Sequence, residues 1–240
     1  REAKEASISG KLVIEEFMEG PELSLDALVY NDTIHITGVA DRIIERSPYF
    51  VEVGHTLPSN LPENQVKETM DVFKQAIRAL GINTGAAKGD IKFTSEGPKI
   101  VEIAARLSGG WMSAYTYPLS SGVNLYKAAI QVALGEEPDG LKPKTSLVAA
   151  ERSLIPAPGK ILSIRGVEEA RKIKGVREII LMKEAGEWVE EPKSNMGKVG
   201  YVITVATTRE EAVCINDLAR KTIQIEVGAS NALTWDIIRN

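Results

Sequence analysis

Val66, Met70, Phe73, Ile77 and Leu80 recur at helical spacing, so one apolar stripe runs down an otherwise polar segment. Pro62 stands near its first turn and Gly81 just past its end, which predicts a helix between them. A second helical pattern runs from Asn124 to Leu134 and closes at Gly135. Upstream the periodicity is that of strands. Lys11 to Met18 is rich in strand formers and ends on the turn signal Glu19-Gly20-Pro21. Glu22 to Asp26 alternates polar and apolar, as a strand with one wet face would. Asn31-Asp32 turns the chain into a further strand, Thr33 to Val39. Tyr49 to Pro62 reads as a short strand followed by a proline-bounded loop, and Gly89 to Gly110 as a β-hairpin running into glycines.

"GEEPDGLKPKT", Gly135 to Thr145, is the best linker candidate, being polar and broken by glycine and proline. Beyond it the order of elements changes. Strand Lys160–Arg165, helix Val167–Lys172, strands Val176–Lys183 and Val199–Ala206, helix Arg209–Arg220 and strand Thr222–Val227 follow an extended "SLVAAERSLIP". That βαββαβ order is the ferredoxin-like arrangement. The fold class expected is therefore α+β: an antiparallel sheet with helices over residues 1–140, then a small ferredoxin-like unit over residues 146–240.

Composition narrows the function classes. With 43% apolar and 26% charged residues and a formal charge of −4, the chain reads as a soluble globular protein without the basic balance of an electrostatic nucleic-acid binder. No apolar run approaches the ~18 residues of a membrane span. The single cysteine, Cys214, excludes an internal disulfide, and its helical setting suggests a small buried hydrophobe. Without a signal-peptide pattern the expected compartment is the cytoplasm. Arg1 to Ala6 resembles the last turn of a helix whose start is missing, so a fragment of a longer protein is expected.

The chemistry concentrates in the hairpin. If Thr94 pairs with Pro98 across a three-residue loop, Asp90 lies directly opposite Glu102, whereas an even-length loop would put them on opposite faces. Like charges so placed repel unless a cation joins them. Carboxylates that leave room for phosphates and water suit Mg²⁺ or Mn²⁺. Two solvated acids on an open sheet face are the alternative. Arg106 follows just ahead of Ser108-Gly109-Gly110, where a guanidinium can grip a phosphate or carboxylate while the backbone approaches closely. Acid, acid and arginine before a glycine turn is the equipment of phosphoryl transfer. His55, a loop histidine between Gly54 and Thr56, is a secondary candidate, as are Arg42 and Trp111, and two histidines with neither near a nucleophile motif argue against Ser-His-Asp or Cys-His catalysis.

Taken with "VIEEFMEGPE" and "FVEVGHTLPSNLP", the hairpin resembles the ATP-grasp superfamily, specifically its carboxylate–amine ligases of the L-amino-acid ligase type. The resemblance covers roughly Leu12 to Gly135 and, more loosely, the C-terminal unit. It implies a hinge strand at "VIEEFMEGPE", with Glu15, Glu16, Phe17 and Met18 facing adenine and Glu22 binding ribose hydroxyls. It implies Asp90 and Glu102 as Mg²⁺ ligands, Arg106 on an acyl phosphate or tetrahedral intermediate, and His55 near the substrate. The implied partners are ATP, a small carboxylic acid and an amine, with a homodimer as an open alternative. Two departures stand out: Ala104 where many relatives carry a metal-binding asparagine, and Lys88 where many carry a histidine. The rivals are a biotin-carboxylase-like, carbamoyl-phosphate-synthase-like or glycinamide-ribonucleotide-synthetase-like enzyme, and a non-catalytic binding or dimerisation module. The resemblance begins at the hinge strand, so it implies the C-terminal half of a longer ligase.

Overall fold

The predicted helix forms because its apolar stripe meets a sheet. In the computed structural model, which describes residues 2–228, α2 (Glu63–Ala79) buries Thr69, Phe73 and Ile77. Phe73 and Ile77 lie against β1 (Glu22–Tyr30), β2 (Thr33–Glu45) and β4 (Gly85–Thr94). The short helix α1 (Glu2–Ala6) precedes β1. β3 (Val51–Leu57) and β5 (Gly97–Ala104) complete the first part of the sheet. Its other face is covered by a π-turn, Met112–Thr116, running into α3 (Tyr117–Ser121), and by α4 (Leu125–Ala133). The Asn124 side chain caps α4 by accepting from the Lys127 amide at 2.9 Å.

β1 is the central strand of this half, and both of its faces are buried. The expected wet face does not exist: Ser24 and Asp26 alternate with leucines, yet both are enclosed and hydrogen-bonded. A second departure is Lys11–Met18. The segment has no regular structure, and Val13, Ile14 and Phe17 are exposed. Strand-forming side chains alone do not make a strand; the backbone needs a ladder partner, and among the described residues none pairs with this segment.

The later elements occur in the expected order, β6 (Val148–Leu154), β7 (Gly159–Arg165), α5 (Val167–Arg171), β8 (Val176–Leu181), then, after a two-residue β9 (Trp188–Val189) that was not expected, β10 (Gly200–Ala206), α6 (Arg209–Thr222) and β11 (Gln224–Gly228). They do not make the single sheet of a ferredoxin-like unit. β6, β10 and β8 extend the first sheet, giving the order β5-β4-β1-β2-β3-β6-β10-β8, while β11, β7 and β9 form a separate three-stranded sheet. β6, the "SLVAAERSLIP" stretch, takes the place beside β10 that β7 would occupy in the ferredoxin-like order. α5 and α6 pack on β6, β8 and β10 around Leu154, Ile179 and Val202. Cys214 is exposed on α6, which turns Ala212, Asn216 and Ala219 inward instead.

The seam between β3 and β6 therefore joins the two halves of the chain, and Gly54 sits on it opposite Arg152. A Cβ at Gly54 would stand 2.2 Å from the Glu151 carbonyl oxygen. Gly54→Ala is expected to lower unfolding free energy by ~1–3 kcal/mol, as overpacking does. Urea denaturation checks this, and an unchanged midpoint would contradict it.

Candidate functional site

Register places a line of charge across five strands. Lys92 of β4 lies opposite Glu22 of β1, Glu22 opposite Arg42 of β2, Arg42 opposite His55 of β3, and His55 opposite Glu151 of β6. Directly opposed residues share a face, so this rung is one continuous row. The side chains connect along it. Lys92 Nζ is 3.8 Å from Glu22, Arg42 pairs with Glu22, and Arg42 Nε lies 3.3 Å from Glu52 Oε2. His55 Nε2 is 3.6 Å from the same Glu52 oxygen, and its Nδ1 is 3.0 Å from Glu151 Oε2.

The next polar positions on that face hold Asp90 and Glu102. They are directly opposed, by a different route from the one expected. Thr94 pairs with Gly97 across a two-residue turn, which by itself would set Asp90 against Val101. A bulge between Asp90 and Ile91 adds one residue to β5 and restores the pairing with Glu102. Asp90 is buried and Glu102 exposed. Asp90 accepts from Ser24 Oγ at 2.7 Å, pairs with Lys88 and lies 3.5 Å from Arg42. Gly89, between Lys88 and Asp90, faces the other way, and its missing side chain makes room for the Phe73 ring.

Arg106 reaches back to Glu102 at 3.9 Å, and Asp26 fixes the turn that follows it. The Asp26 carboxylate accepts from the Ser108 amide at 2.9 Å, from Ser108 Oγ at 2.6 Å and from Ser113 Oγ. Burial pushes the Asp26 carboxyl up, against those hydrogen bonds. Asp90, Glu102, Arg106, His55, Arg42 and Lys88 all line one cavity of about 230 Å³. Asn195, Lys198 and Tyr201, from the C-terminal segment, close its far wall.

His55 is a buried strand residue, not the loop histidine expected. Burial pushes the Glu151 carboxyl up, against the His55 hydrogen bond, and Glu151 Oε1 has no hydrogen-bond partner among the described residues. Glu52 behaves oppositely. Burial alone would raise its carboxyl, but His55, Lys198 and Arg42 outweigh that and hold it at about 2.

Glu15, Glu16, Phe17, Met18 and Glu22 line a neighbouring cavity of about 450 Å³ with Phe50 and Lys92. Its Phe17 ring lies 5.6 Å from Phe50 and 5.0 Å from Lys92 Nζ. Arg42 borders both cavities, so the two groups of candidates meet at that residue. Sequence reading missed Glu52, Glu151 and Lys198. The acids lie three residues from a histidine and across an unpredicted seam, and "KVGYV" carries no signal of where its lysine points.

Asp90 and Glu102 offer the hard oxygen donors that Mg²⁺ or Mn²⁺ takes alongside phosphates and water. They face one cavity, and a cation, the Lys88 ammonium, already lies between them. The donor set fits a divalent ion. Among the described residues no cluster of three or more acidic, histidine or cysteine side chains surrounds a common point, so phosphate or water must complete any coordination shell.

A profile for the ATP-grasp domain matches residues 1–115, and one for L-amino acid ligase C-terminal domain 2 matches residues 152–228. Residues 1–115 thus carry an ATP-grasp domain, and residues 152–228 the C-terminal domain of L-amino acid ligases. An uncharacterised protein of Sinorhizobium fredii is 28% identical over 90% of this chain and 44% of its own length. Carnosine synthase 1 of Gallus gallus is 28% identical over 75% of the chain and 20% of its own length. The chain thus spans less than half of either relative. An L-amino acid ligase from Bacillus licheniformis shares the fold at a TM-score of 0.79 and 21% identity, over 89% of this chain and 55% of that one. Phosphoribosylglycinamide synthetase from Anaerococcus prevotii gives 0.79 and 22% over the same shares. No helix among the described residues is long and apolar enough to cross a membrane.

Because the Glu52 carboxyl is held down from 4.5 to about 2, it contributes about 3 kcal/mol of stability above pH ~4.5. That contribution disappears as pH falls from there through about 2. Glu52→Gln is expected to flatten this part of the acid limb in urea unfolding measured against pH; superimposable limbs would contradict it.

Proposed function

We propose that this chain is the nucleotide- and metal-binding part of an ATP-dependent ligase that joins a carboxylic acid to an amine through an acyl phosphate. The observation that carries the reading is the convergence of Asp90, Glu102 and Arg106 on one cavity, with Arg42 linking it to the cavity of Glu22. Residues 1–140 supply these groups, and residues 146–240 close over them through Asn195, Lys198 and Tyr201.

Glu15 to Met18 and Glu22 hold the nucleoside, the ring of Phe17 offering an apolar face and Glu22 an acceptor for ribose hydroxyls. Asp90 and Glu102 hold Mg²⁺ or Mn²⁺, which when bound neutralises phosphate oxygens. Arg42 and Arg106 then approach the transferring group from two sides. Arg106 is exposed and weakly paired, so it is free to turn onto an oxyanion. His55 stands at the acid-substrate end, oriented by Glu151 and kept from bulk water by burial. A carboxylate oxygen takes the γ-phosphoryl group of ATP and ADP leaves; the amine nitrogen then attacks the acyl carbon, phosphate leaves as the C–O bond breaks, and the amine's proton is lost to water or phosphate. The chain's part is positioning and charge, with no covalent side-chain intermediate.

Isothermal titration with Mg·ADP tests the reading. Asp90→Asn and Glu102→Gln are each expected to weaken binding ~10-fold or more. Three identical isotherms would favour a non-catalytic module. In the whole protein, hydroxylamine traps an acyl phosphate as a hydroxamate, and Arg106→Ala should lower that yield by ~10²–10³.

A further inference from the structure

Lys88 is a charged side chain that the proposed mechanism does not use. It is buried, its ammonium pairs with Asp90 and lies 3.9 Å from Glu102 Oε1, and across the ladder it stands opposite the buried Asp26. Two carboxylates, Asp90 and Glu102, therefore share one lysine at the spot where a divalent ion would bind, with Asp26 facing it across the ladder. Arg42, 3.5 Å from Asp90, is the other cation near that carboxylate, but Glu22 and Glu52 also hold it. Among the described residues, Lys88 has no such competing partners outside the acid cluster.

We propose that the Lys88 ammonium is the resident counter-cation of the Asp90–Glu102 pair, and that a divalent ion engages these carboxylates only by displacing it. Two cations cannot share the space between opposed carboxylates without strong repulsion at these distances. Lys88 thus sets the divalent affinity of the site. It keeps the carboxylates paired and the strands together when no metal is bound, so the empty site carries no unpaired buried charge. Once displaced, the ammonium is left beside the metal as a second positive charge for phosphate oxygens, which couples metal entry to the arrival of an anion. This inference builds on the assignment of Asp90 and Glu102 as metal ligands in the proposed ligase site.

Mn²⁺ alone, without nucleotide, is the probe, its binding read from loss of the free-ion electron paramagnetic resonance signal. Lys88→Met and Lys88→Gln, two neutral side chains of different shape that guard against one failing to fold, are expected to bind Mn²⁺ at least ~10-fold more tightly than the unmodified chain. Lys88→Arg, which keeps the charge, should stay near the original affinity. Adding Asp90→Asn to Lys88→Met should abolish the tightened site. Folded neutral variants, verified by circular dichroism, that bind Mn²⁺ no better than the unmodified chain would overturn the proposal. So would a Lys88→Arg chain tightened as much as Lys88→Met. The ligase reading is separable: tightened Mn²⁺ binding in a chain indifferent to Mg·ADP would uphold Lys88 and count against the nucleotide site.

Discussion

Strand register imposes one constraint on everything around the cavity: buried charges must find partners along the rung from Lys92 to Glu151. Each residue of that rung is fixed by backbone pairing, so its neighbours are set before any side chain is placed. Signs alternate at the start, from Lys92 to Glu22 to Arg42, and Glu52 then bridges Arg42 to His55. An isolated ion on this sheet would suffer the full desolvation penalty. A connected row spreads it over several hydrogen-bonded pairs. The same row leaves Arg42 between two cavities, which under the proposed function is the position of a group bridging nucleoside and phosphate.

The rung also explains how the C-terminal segment belongs to the site. β6 brings Glu151 to His55, and Lys198 places its ammonium 3.1 Å from Glu52 Oε1 and 5.2 Å from the Tyr201 ring centre. A further tie, Arg209 to Asp41 and to the Pro58 carbonyl at 2.9 Å, fastens the start of α6 to β2 and to the loop after β3. The two matched family segments thus meet in one sheet, and the cavity has walls from both.

Much of this was legible in the sequence where the signal was local. The stripe from Val66 to Ile77 called for a helix on a sheet, and the acids at positions 90 and 102 called for a shared face. The turn was read as three residues where it has two, and the Val101 bulge compensated; bulges leave no mark in a pattern of period two. The strand expected at Lys11–Met18 failed because β-propensity cannot supply a partner. Ser24 and Asp26 looked solvent-facing because alternation does not distinguish water from a buried polar network. His55 looked like a loop residue because its glycine neighbour, Gly54, suggests a turn, whereas that glycine is needed for close approach to β6. Glu52, Glu151 and Lys198 depended on long-range pairing across the linker, which no local pattern encodes.

Anomalous diffraction from crystals of the chain grown with Mn²⁺ and ADP tests the central claim most directly. The account predicts a manganese peak between the Asp90 and Glu102 carboxylates, phosphate oxygens in its shell, and the nucleoside on the Glu22 side of Arg42. Manganese bound elsewhere, with Asp90 still held by Lys88 and the nucleotide away from Arg42, would contradict it.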